Sequence, residues 1–242
     1  MQLIKDVQNM LDSAPAVNAI LGVGPFDDFA SLAGALFASL TGNHAIGQTV
    51  AETYCADKTL AEMSCYDIEE TARRNFEPGG ASATVLFSRG IHAVMAHRVA
   101  HKIWTNGNPA LALALKATCG RSFDTDIHPA ARIGAGVWLD HGLGCVIGET
   151  SVIEEDVSIW HNVTLGSTLN DDGPRRHPHV GRGAVIGAGA ILLGGILIGK
   201  GSNIAAGAIV VEDVADNSLV VGCKAQLRGK ARVSFTPSEA KS

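Results

Sequence analysis

The 242-residue chain is poor in aromatic residues, in basic residues and in paired cysteines, and each shortage excludes a class of protein. Aromatic residues make up only 5%, which does not suit a core built around large rings. Lys and Arg number 19 against 24 Asp and Glu, so the net charge of −5 leaves no basic footprint for nucleic acid. The five cysteines are odd in number, scattered and without a CxxC pair. They predict reduced thiols in a cytoplasmic protein, with neither a disulfide framework nor a zinc cluster.

Long apolar runs are also missing. No run of eighteen apolar residues exists, so no membrane span is expected. The opening stretch MQLIKDVQNMLD has neither the apolar segment nor the cleavage site of a signal peptide. These absences predict a cytoplasmic protein without membrane or nucleic-acid partners.

The first half of the chain has the pattern of helices. Apolar residues at three- and four-residue spacing predict helices over 29–40 and 49–74, followed by a break at Pro78-Gly79-Gly80. Two more helices are predicted over 83–104 and 109–117. Residues 1–120 are therefore predicted to form an α-helical domain.

After residue 125 the apolar period changes to six, and most of the 28 glycines gather there. Ile127, Ile133 and Leu139 are spaced six residues apart. The same spacing of apolar residues is found from Val180 to Val210, where small residues follow each apolar one. A helix cannot place every sixth residue on one face, whereas a coil of three short strands and three tight turns does so. Residues 121–230 are therefore predicted to form a parallel β-helix with about 18 residues per coil.

One polar segment interrupts the period. Val163 and Val180 are 17 residues apart, and STLNDDGPRRHPH lies between them. This predicts a loop extruded from the solenoid at 167–179, and the last residues, 231–242, are predicted to form a C-terminal tail.

Polar side chains that depart from the repeat are candidates for chemistry, because a structural rod alone would not need them. A lone histidine on such a surface is usually only solvated. His141 differs because it follows Asp140 directly and has another acid, Asp126, one coil earlier. An imidazole held in one tautomer by an acid is suited to removing a proton from an alcohol. Arg176 and His177 end the polar loop, where Arg suits a substrate carboxylate.

Other histidines are interpreted as structural. His97 and His101 are four residues apart on a predicted helix, which is a possible metal-ligand spacing. Their surroundings are apolar and no third ligand is near in the sequence. No metal site is predicted.

Several segments of the solenoid half resemble a known family. DIHPAARIGAGVWLDHGLGCVIGETSVIEEDVSI, followed by VTLGST and RRHP, resembles serine O-acetyltransferase, a hexapeptide-repeat acyltransferase family. The resemblance runs from about residue 87 to 230, and FSRGIHAVMAHRVAHKIW matches the helix that leads into the family's solenoid. It implies an α+β multidomain chain in which a helical domain precedes a left-handed parallel β-helix. It also implies a homotrimer, or a dimer of trimers joined through the helical domains, with active sites between subunits.

The family's reaction is transfer of acetyl from acetyl-CoA to the hydroxyl of L-serine, which gives O-acetylserine for cysteine biosynthesis. The resemblance implies direct attack, with no metal, no tightly bound cofactor and no covalent enzyme intermediate. By position, His141 would be the general base, Asp126 its dyad partner, and His177 a catalytic residue beside the substrate.

The binding residues follow by position as well. Asp140 and Arg176 would bind the amino acid, and Glu149 would support the site. The acetyl-CoA arm would lie along an outer groove of the solenoid at Gly166, Gly187, Ala188, Ala205 and Ala206. Feedback inhibition by L-cysteine is expected of the family.

Two departures from the family pattern bear on substrate and partner. Asn75 stands where the family's Asp-Pro-Ala stretch supplies a carboxylate to the amino acid. Glu77 takes the place of that carboxylate only if the loop shifts. Family members that dock into cysteine synthase end in isoleucine, whereas this chain stops at SFTPSEAKS, which argues against that complex.

Three alternatives stay open at this point. The acceptor is homoserine or another hydroxy amino acid if Asn75 changes specificity. A zinc carbonic anhydrase on the same solenoid would need three histidines at a subunit interface, and the usual His-x4-His pair is missing. A non-catalytic scaffold would not need the clustered polar residues.

Overall fold

The computed structural model describes residues 2–168 and 173–229, which form eight helices followed by a three-sided parallel β-solenoid. The predicted tail over 231–242 lies outside these residues, as do positions 169–172 of the predicted loop. Within the described ranges, no helix has both the length and the apolar character that a membrane crossing requires.

Six of the helices have 12 to 17 residues, and the other two have seven and eight. They are α1 (Gln2–Ser13), α2 (Pro15–Leu21), α3 (Phe29–Thr41), α4 (His44–Ala56), α5 (Lys58–Arg74), α6 (Gly80–Phe87), α7 (Arg89–Thr105) and α8 (Pro109–Phe123). The single helix predicted over 49–74 is two helices, because the side chain of Asp57 accepts a hydrogen bond from the Leu60 N–H and caps α5. The helix predicted over 83–104 likewise divides at Ser88, whose backbone is extended.

Helix α7 is the central element of the helical domain. Twelve of its seventeen residues are buried, because it packs against α4, α5 and α8 and against the first coil of the solenoid. Its histidines bond to backbone carbonyls: His97 Nε2 lies 3.1 Å from Ala131 O, and His101 Nδ1 lies 2.7 Å from Pro129 O. Burial lowers the pKa of His97 to about 3. The pair with metal-ligand spacing therefore anchors α7 to the solenoid.

A buried ion pair fixes the helical domain to the first coil. Arg98 Nε lies 3.0 Å from Asp67 Oδ2, and Asp67 Oδ1 accepts a hydrogen bond of 2.7 Å from the Gly136 N–H. Arg98 also donates to the carbonyl of Gly134 at 2.6 Å. Burial raises the pKa of the Asp67 carboxyl, and the positive charge of Arg98 opposes that shift. Helices α5 and α7 are thus joined to one solenoid corner.

The solenoid has three parallel sheets. Its strands are β1 (Thr125–Ile127), β2 (Arg132–Ile133), β3 (Trp138–Leu139), β4 (Cys145–Ile147), β5 (Val152–Ile153), β6 (Ser158–Ile159), β7 (Thr164–Gly166), β8 (His179–Val180), β9 (Val185–Ile186), β10 (Ile191–Leu193), β11 (Leu197–Ile198), β12 (Asn203–Ile204), β13 (Ile209–Val210) and β14 (Leu219–Val220). Sheet A has the order β1-β4-β7-β10-β13, sheet B β11-β8-β5-β2, and sheet C β14-β12-β9-β6-β3. The predicted coil of three short strands is confirmed. Strand β8 begins at His179, so the loop predicted over 167–179 reaches one residue into it.

The corner between β3 and β4 departs from the six-residue period. Leu139 and Ile147, the successive inward residues of sheets C and A, are eight positions apart, whereas Ile147, Ile153 and Ile159 keep six. Two residues are therefore inserted between β3 and β4. The apolar row in the sequence hides the insertion, because Cys145 sits at the step where the next inward residue was expected and is itself buried.

Candidate active site

The corner between β3 and β4 carries the candidate base. Three of its residues have left-handed backbone, with φ of 59° at His141, 73° at Gly142 and 65° at Gly144. A non-glycine residue in this region costs roughly 1–3 kcal/mol and is concentrated at functional sites. The side chain of His141 is 65% exposed. The inserted residues thus make a strained corner that projects His141 from the solenoid.

The first turn of α7 lies against this corner. A Cβ on Gly90 would stand 1.7 Å from the carbonyl oxygen of Leu139, so only glycine permits the contact. Ser88 and Arg89, next to Gly90, line the same cavity as His141. The free N–H groups at the start of a helix carry partial positive charge. The helical domain therefore contributes one wall of the candidate site.

A cavity of about 300 Å³ opens between the two domains. Its volume is at the low end for small-molecule pockets, so it suits an amino acid rather than a whole coenzyme. It is lined by Asn75, Glu77, Phe87, Ser88, Arg89, Trp138, Asp140, His141 and Leu143.

Charged groups of both signs face this cavity. Asp140 Oδ2 lies 3.5 Å from His141 Nε2, and the Asp140 side chain is only 13% exposed. The side-chain amide of Asn75 donates to Glu77 Oε2 at 3.2 Å. Arg89 supplies a guanidinium. Two carboxylates and one guanidinium complement the ammonium and the carboxylate of an amino acid.

The sequence did not predict Arg89 as a site residue, and it predicted Glu77 only on the condition of a loop shift. Phe76 has left-handed backbone, with φ of 50°, and this turn places Asn75 and Glu77 on the same cavity. An acid two residues after Asn75 and directly before Pro78 was the available signal for Glu77. For Arg89 the signal was its place next to Gly90 at the predicted helix.

The predicted residues Glu149, Arg176 and His177 form a second cluster, at the corner between sheets A and B. Arg176 pairs with Glu149. His177 is 7% exposed, and its Nδ1 accepts a hydrogen bond of 3.2 Å from the Thr150 N–H. That bond leaves the ring proton on Nε2 in the neutral tautomer. Among the residues that the structure describes, none of these three lines the cavity of His141.

Asp126, predicted as the dyad partner, lies on strand β1. Strand β1 carries it on the outer face of sheet A, in register with Val146, with 60% of its side chain exposed. It forms an ion pair with Lys116 of α8 and lines a groove between α8 and sheet A. The carboxylate that the structure places within 4 Å of the His141 ring is that of Asp140.

Four of the five positions predicted to contact acetyl-CoA continue the His141 corner along the solenoid. Gly187 and Ala188 follow β9, and Ala205 and Ala206 follow β12. A Cβ on Gly187 would stand 2.5 Å from the Ala206 nitrogen, so the stacking of coils alone requires a glycine there. Gly166 lies apart, at the end of β7 in register with Leu193. A strip of small side chains therefore runs along this corner in the third and fourth coils, beyond Trp160 and His161 of the second coil.

A helical domain followed by a six-residue-repeat solenoid, with a histidine and a carboxylate at the corner where they meet, defines a hexapeptide-repeat acyltransferase. Serine acetyltransferase of Salmonella typhimurium is 42% identical over 186 residues, which cover 77% of this chain and 68% of the relative. Serine acetyltransferase 2 of Arabidopsis thaliana is 47% identical over 171 residues, 71% of this chain and 53% of the relative. The chain belongs to the serine acetyltransferase family. No family model matches it.

Solved structures agree. A Neisseria gonorrhoeae serine acetyltransferase in complex with serine superposes with a TM-score of 0.81 and 31% identity, over 93% of this chain and 95% of that one. A serine acetyltransferase in complex with CoA superposes with a TM-score of 0.81 and 31% identity, over 93% of this chain and 96% of that one. A serine acetyltransferase in complex with cysteine superposes with a TM-score of 0.82 and 32% identity, over 93% of this chain and 95% of that one. The predicted fold class, a helical domain before a left-handed β-helix, is confirmed, and homoserine is not favoured as the acceptor.

Proposed function

We propose that this chain transfers the acetyl group of acetyl-CoA to the hydroxyl of L-serine, with His141 as the general base. The observation that carries the proposal is the strained His141 corner, which lines a cavity of about 300 Å³ and lies on the same edge of the solenoid as a strip of small side chains. Membership of the serine acetyltransferase family, with relatives solved in complex with serine and with CoA, supports the same reaction.

The cavity binds the acceptor. Asp140 and Glu77 face the substrate ammonium, and Arg89 pairs with the substrate carboxylate. The serine hydroxyl then points to His141. Asn75 acts indirectly, because its amide holds the Glu77 carboxylate in place. This arrangement replaces the carboxylate that the family pattern places at position 75.

The reaction is a direct acyl transfer. His141 takes the hydroxyl proton while the serine oxygen attacks the thioester carbonyl carbon. The C–S bond then breaks, and the leaving coenzyme A sulfur receives the proton from the imidazolium, giving O-acetylserine and free CoA. Asp140 stabilises the transient imidazolium. A positioned base contributes roughly 10² to 10⁴ in rate, about 3–5 kcal/mol of barrier.

The second cluster belongs to a site shared between chains. The outer face of sheet A carries Asp126, Val146, Thr164, Ile191 and Ile209 in one column, and Val146 and Ile209 are exposed. An exposed apolar column is suited to burial against a second copy. A homotrimer packed through this face brings Glu149, Arg176 and His177 of one chain, together with Asp126 at the interface, toward the His141 corner of its neighbour. A dimer of such trimers through the helical domains is the larger assembly.

Regulation and location complete the proposal. L-cysteine differs from L-serine only in a thiol for the hydroxyl, so it fits the same cavity as an inhibitor competitive with serine. A relative solved in complex with cysteine supports this expectation. We place the reaction in the cytoplasm, where thiols stay reduced, since no disulfide links the cysteines of the described residues.

Release of free CoA tests the proposal. The purified chain is mixed with acetyl-CoA and, in separate reactions, L-serine, L-homoserine or L-threonine, and the thiol product and the acetylated amino acid are measured. We expect L-serine to give the highest kcat/KM and O-acetylserine to form in equal amount to CoA. Release of CoA that no acceptor stimulates would refute acetyl transfer, and a preference for homoserine would refute the acceptor.

A further inference from the structure

A third side chain, His161, stands beside the candidate base and has no part in the proposed reaction. Asp140, His141 and His161 each offer one ligand atom, and these atoms lie within 4.8 Å of one another. The rings of His141 and His161 have centroids 5.7 Å apart and meet edge to face. Two imidazoles and one carboxylate form a common ligand set for Zn²⁺ and Co²⁺.

The backbone holds His161 firmly in this position. The Asn162 N–H donates to the carbonyl of Leu143 at 2.6 Å, and the Gly189 N–H donates to the carbonyl of His161 at 2.9 Å. These bonds tie the corner of the second coil to the coils on either side. His161 thus belongs to the hydrogen-bonded body of the solenoid, whereas the side chain of His141 is 65% exposed.

The ligand atoms need only a small movement to close on an ion. Zinc–nitrogen and zinc–oxygen bonds of about 2.0–2.2 Å place neighbouring ligand atoms about 3.4 Å apart in a tetrahedral site. The three ligand atoms, which lie within 4.8 Å of one another, therefore approach by at most about 1.4 Å to reach that spacing. A fourth position remains open toward the cavity, because His141 and Asp140 both line it.

The lack of a hydrogen-bond partner, within the described ranges, at one ring nitrogen of His161 also suits the binding of a cation. Its Nδ1 atom is shut off from solvent and has no hydrogen-bond partner among the described residues. Consequently no group in the described chain fixes which ring nitrogen carries the proton. A metal ion requires the neutral imidazole lone pair, and this ring offers it without breaking a hydrogen bond.

We propose that Asp140, His141 and His161 form a site for a divalent late transition-metal ion, with Zn²⁺ as the natural candidate, and that its occupation switches the enzyme off. The ion takes the lone pair with which His141 accepts the serine proton, so binding and turnover exclude each other. The inhibitory part rests on the proposed function, whereas the binding part does not. A chelator that removes the ion restores the base.

Cobalt binding tests the site directly. The full-length chain, freed of metal by a chelator, is titrated with Co²⁺ and its visible absorption is recorded. We expect one ion per chain with the d–d bands of a four- or five-coordinate site, and no sulfur-to-cobalt charge-transfer band. His161→Gln is expected to weaken Co²⁺ binding at least about ten-fold, with His161→Asn as the alternative where the first variant does not fold. His101→Gln, in the other histidine pair, is expected to bind as the parent does.

Unchanged Co²⁺ affinity in the folded His161 variants would overturn the proposal, as would a spectrum that shows a cysteine ligand or loss of binding in His101→Gln.

The inhibitory part has its own measurement. Zn²⁺ is expected to inhibit release of CoA reversibly, and His161→Gln to raise the inhibitory Zn²⁺ concentration at least about ten-fold while metal-free turnover stays within about two-fold of the parent. Equal inhibition of parent and variant would overturn it. A chain that transfers no acetyl group would refute the proposed function instead, and the Co²⁺ titration would still decide whether the site exists.

Discussion

At the scale of single residues, the structure explains a substitution that the sequence left open. Asn75 stands where a carboxylate is expected, yet the left-handed turn at Phe76 brings Glu77 to the same cavity and Asn75 holds it. The sequence could show the missing charge and offer Glu77 as its replacement, but not the loop geometry that this needs, because an ungapped comparison cannot foresee a turn at a non-glycine residue. His141 and Asp140, by contrast, were predictable from their place in a broken repeat.

Glu77→Gln tests this account of the acceptor site. Loss of a hydrogen bond to a charged group costs about 1.5–3 kcal/mol, so we expect KM for L-serine to rise about 10- to 100-fold with a smaller change in kcat. Steady-state kinetics at saturating acetyl-CoA measure both constants. Glu69→Gln, on the exposed side of α5, is the matched control and should leave KM unchanged. An unchanged KM in Glu77→Gln would remove this carboxylate from the site.

The buried histidines of α7 predict a pH dependence of stability. Burial lowers the pKa of His97 to about 3 and that of His92 to about 4, so both are neutral in the folded chain. The unfolded chain protonates them below about pH 6.5, so stability is full above that pH and falls as the pH drops. Each contributes a slope of up to about 1.4 kcal/mol per pH unit.

Urea unfolding at pH 7 and pH 5 measures that slope. His92→Gln should lose part of the difference between the two pH values, whereas exposed His44→Gln should keep it. Equal slopes in parent and His92→Gln would contradict the assignment.

At the scale of elements, the candidate site depends on how closely α7 approaches one solenoid corner. The six-residue period predicted the coils, because each coil repeats the same burial. The two-residue insertion before β4 was not predictable, since Cys145 is buried and continues the apolar row in the sequence. The approach of α7 was not predictable either, because it depends on tertiary packing that no local pattern records.

Gly90→Ala tests the approach of α7. The added methyl group would stand 1.7 Å from the Leu139 carbonyl oxygen, so the helix and the His141 corner must move apart. Overpacking of this kind costs about 1–3 kcal/mol, and we expect a lower urea midpoint together with a fall in kcat of at least ten-fold.

Gly24→Ala is the matched control, since a methyl group there meets nothing within 4 Å. Parent-like turnover in Gly90→Ala would show that the corner does not depend on α7.

At the scale of the whole molecule, the described residues hold His141 and Arg176 in two separate groups. His141 and Asp140 line the cavity beneath α7, whereas Arg176 and His177 lie at the corner between sheets A and B. A sequence read as a single chain cannot separate these groups, because an interface between copies is a property of the assembly.

Mixed oligomers test whether two chains share each site. We propose co-expression of His141→Asn with Arg176→Ala, each nearly inactive alone. In a randomly mixed ring, about one quarter of the interfaces then combine an intact His141 with an intact Arg176, so about one quarter of parent activity should return. Co-expression of His141→Asn with His141→Ala is the control and should stay inactive. No recovery in the first mixture would place all of these residues in the site of a single chain.

The central claim is that His141 is the base that activates serine, and the turnover of His141→Asn tests it most directly. With acetyl-CoA and L-serine saturating, the account predicts a fall in kcat of roughly 10² to 10⁴, with the same oligomeric state and urea midpoint as the parent. His44→Asn, at an exposed position of α4, should keep parent-like kcat. Turnover of folded His141→Asn within about ten-fold of the parent would contradict the account.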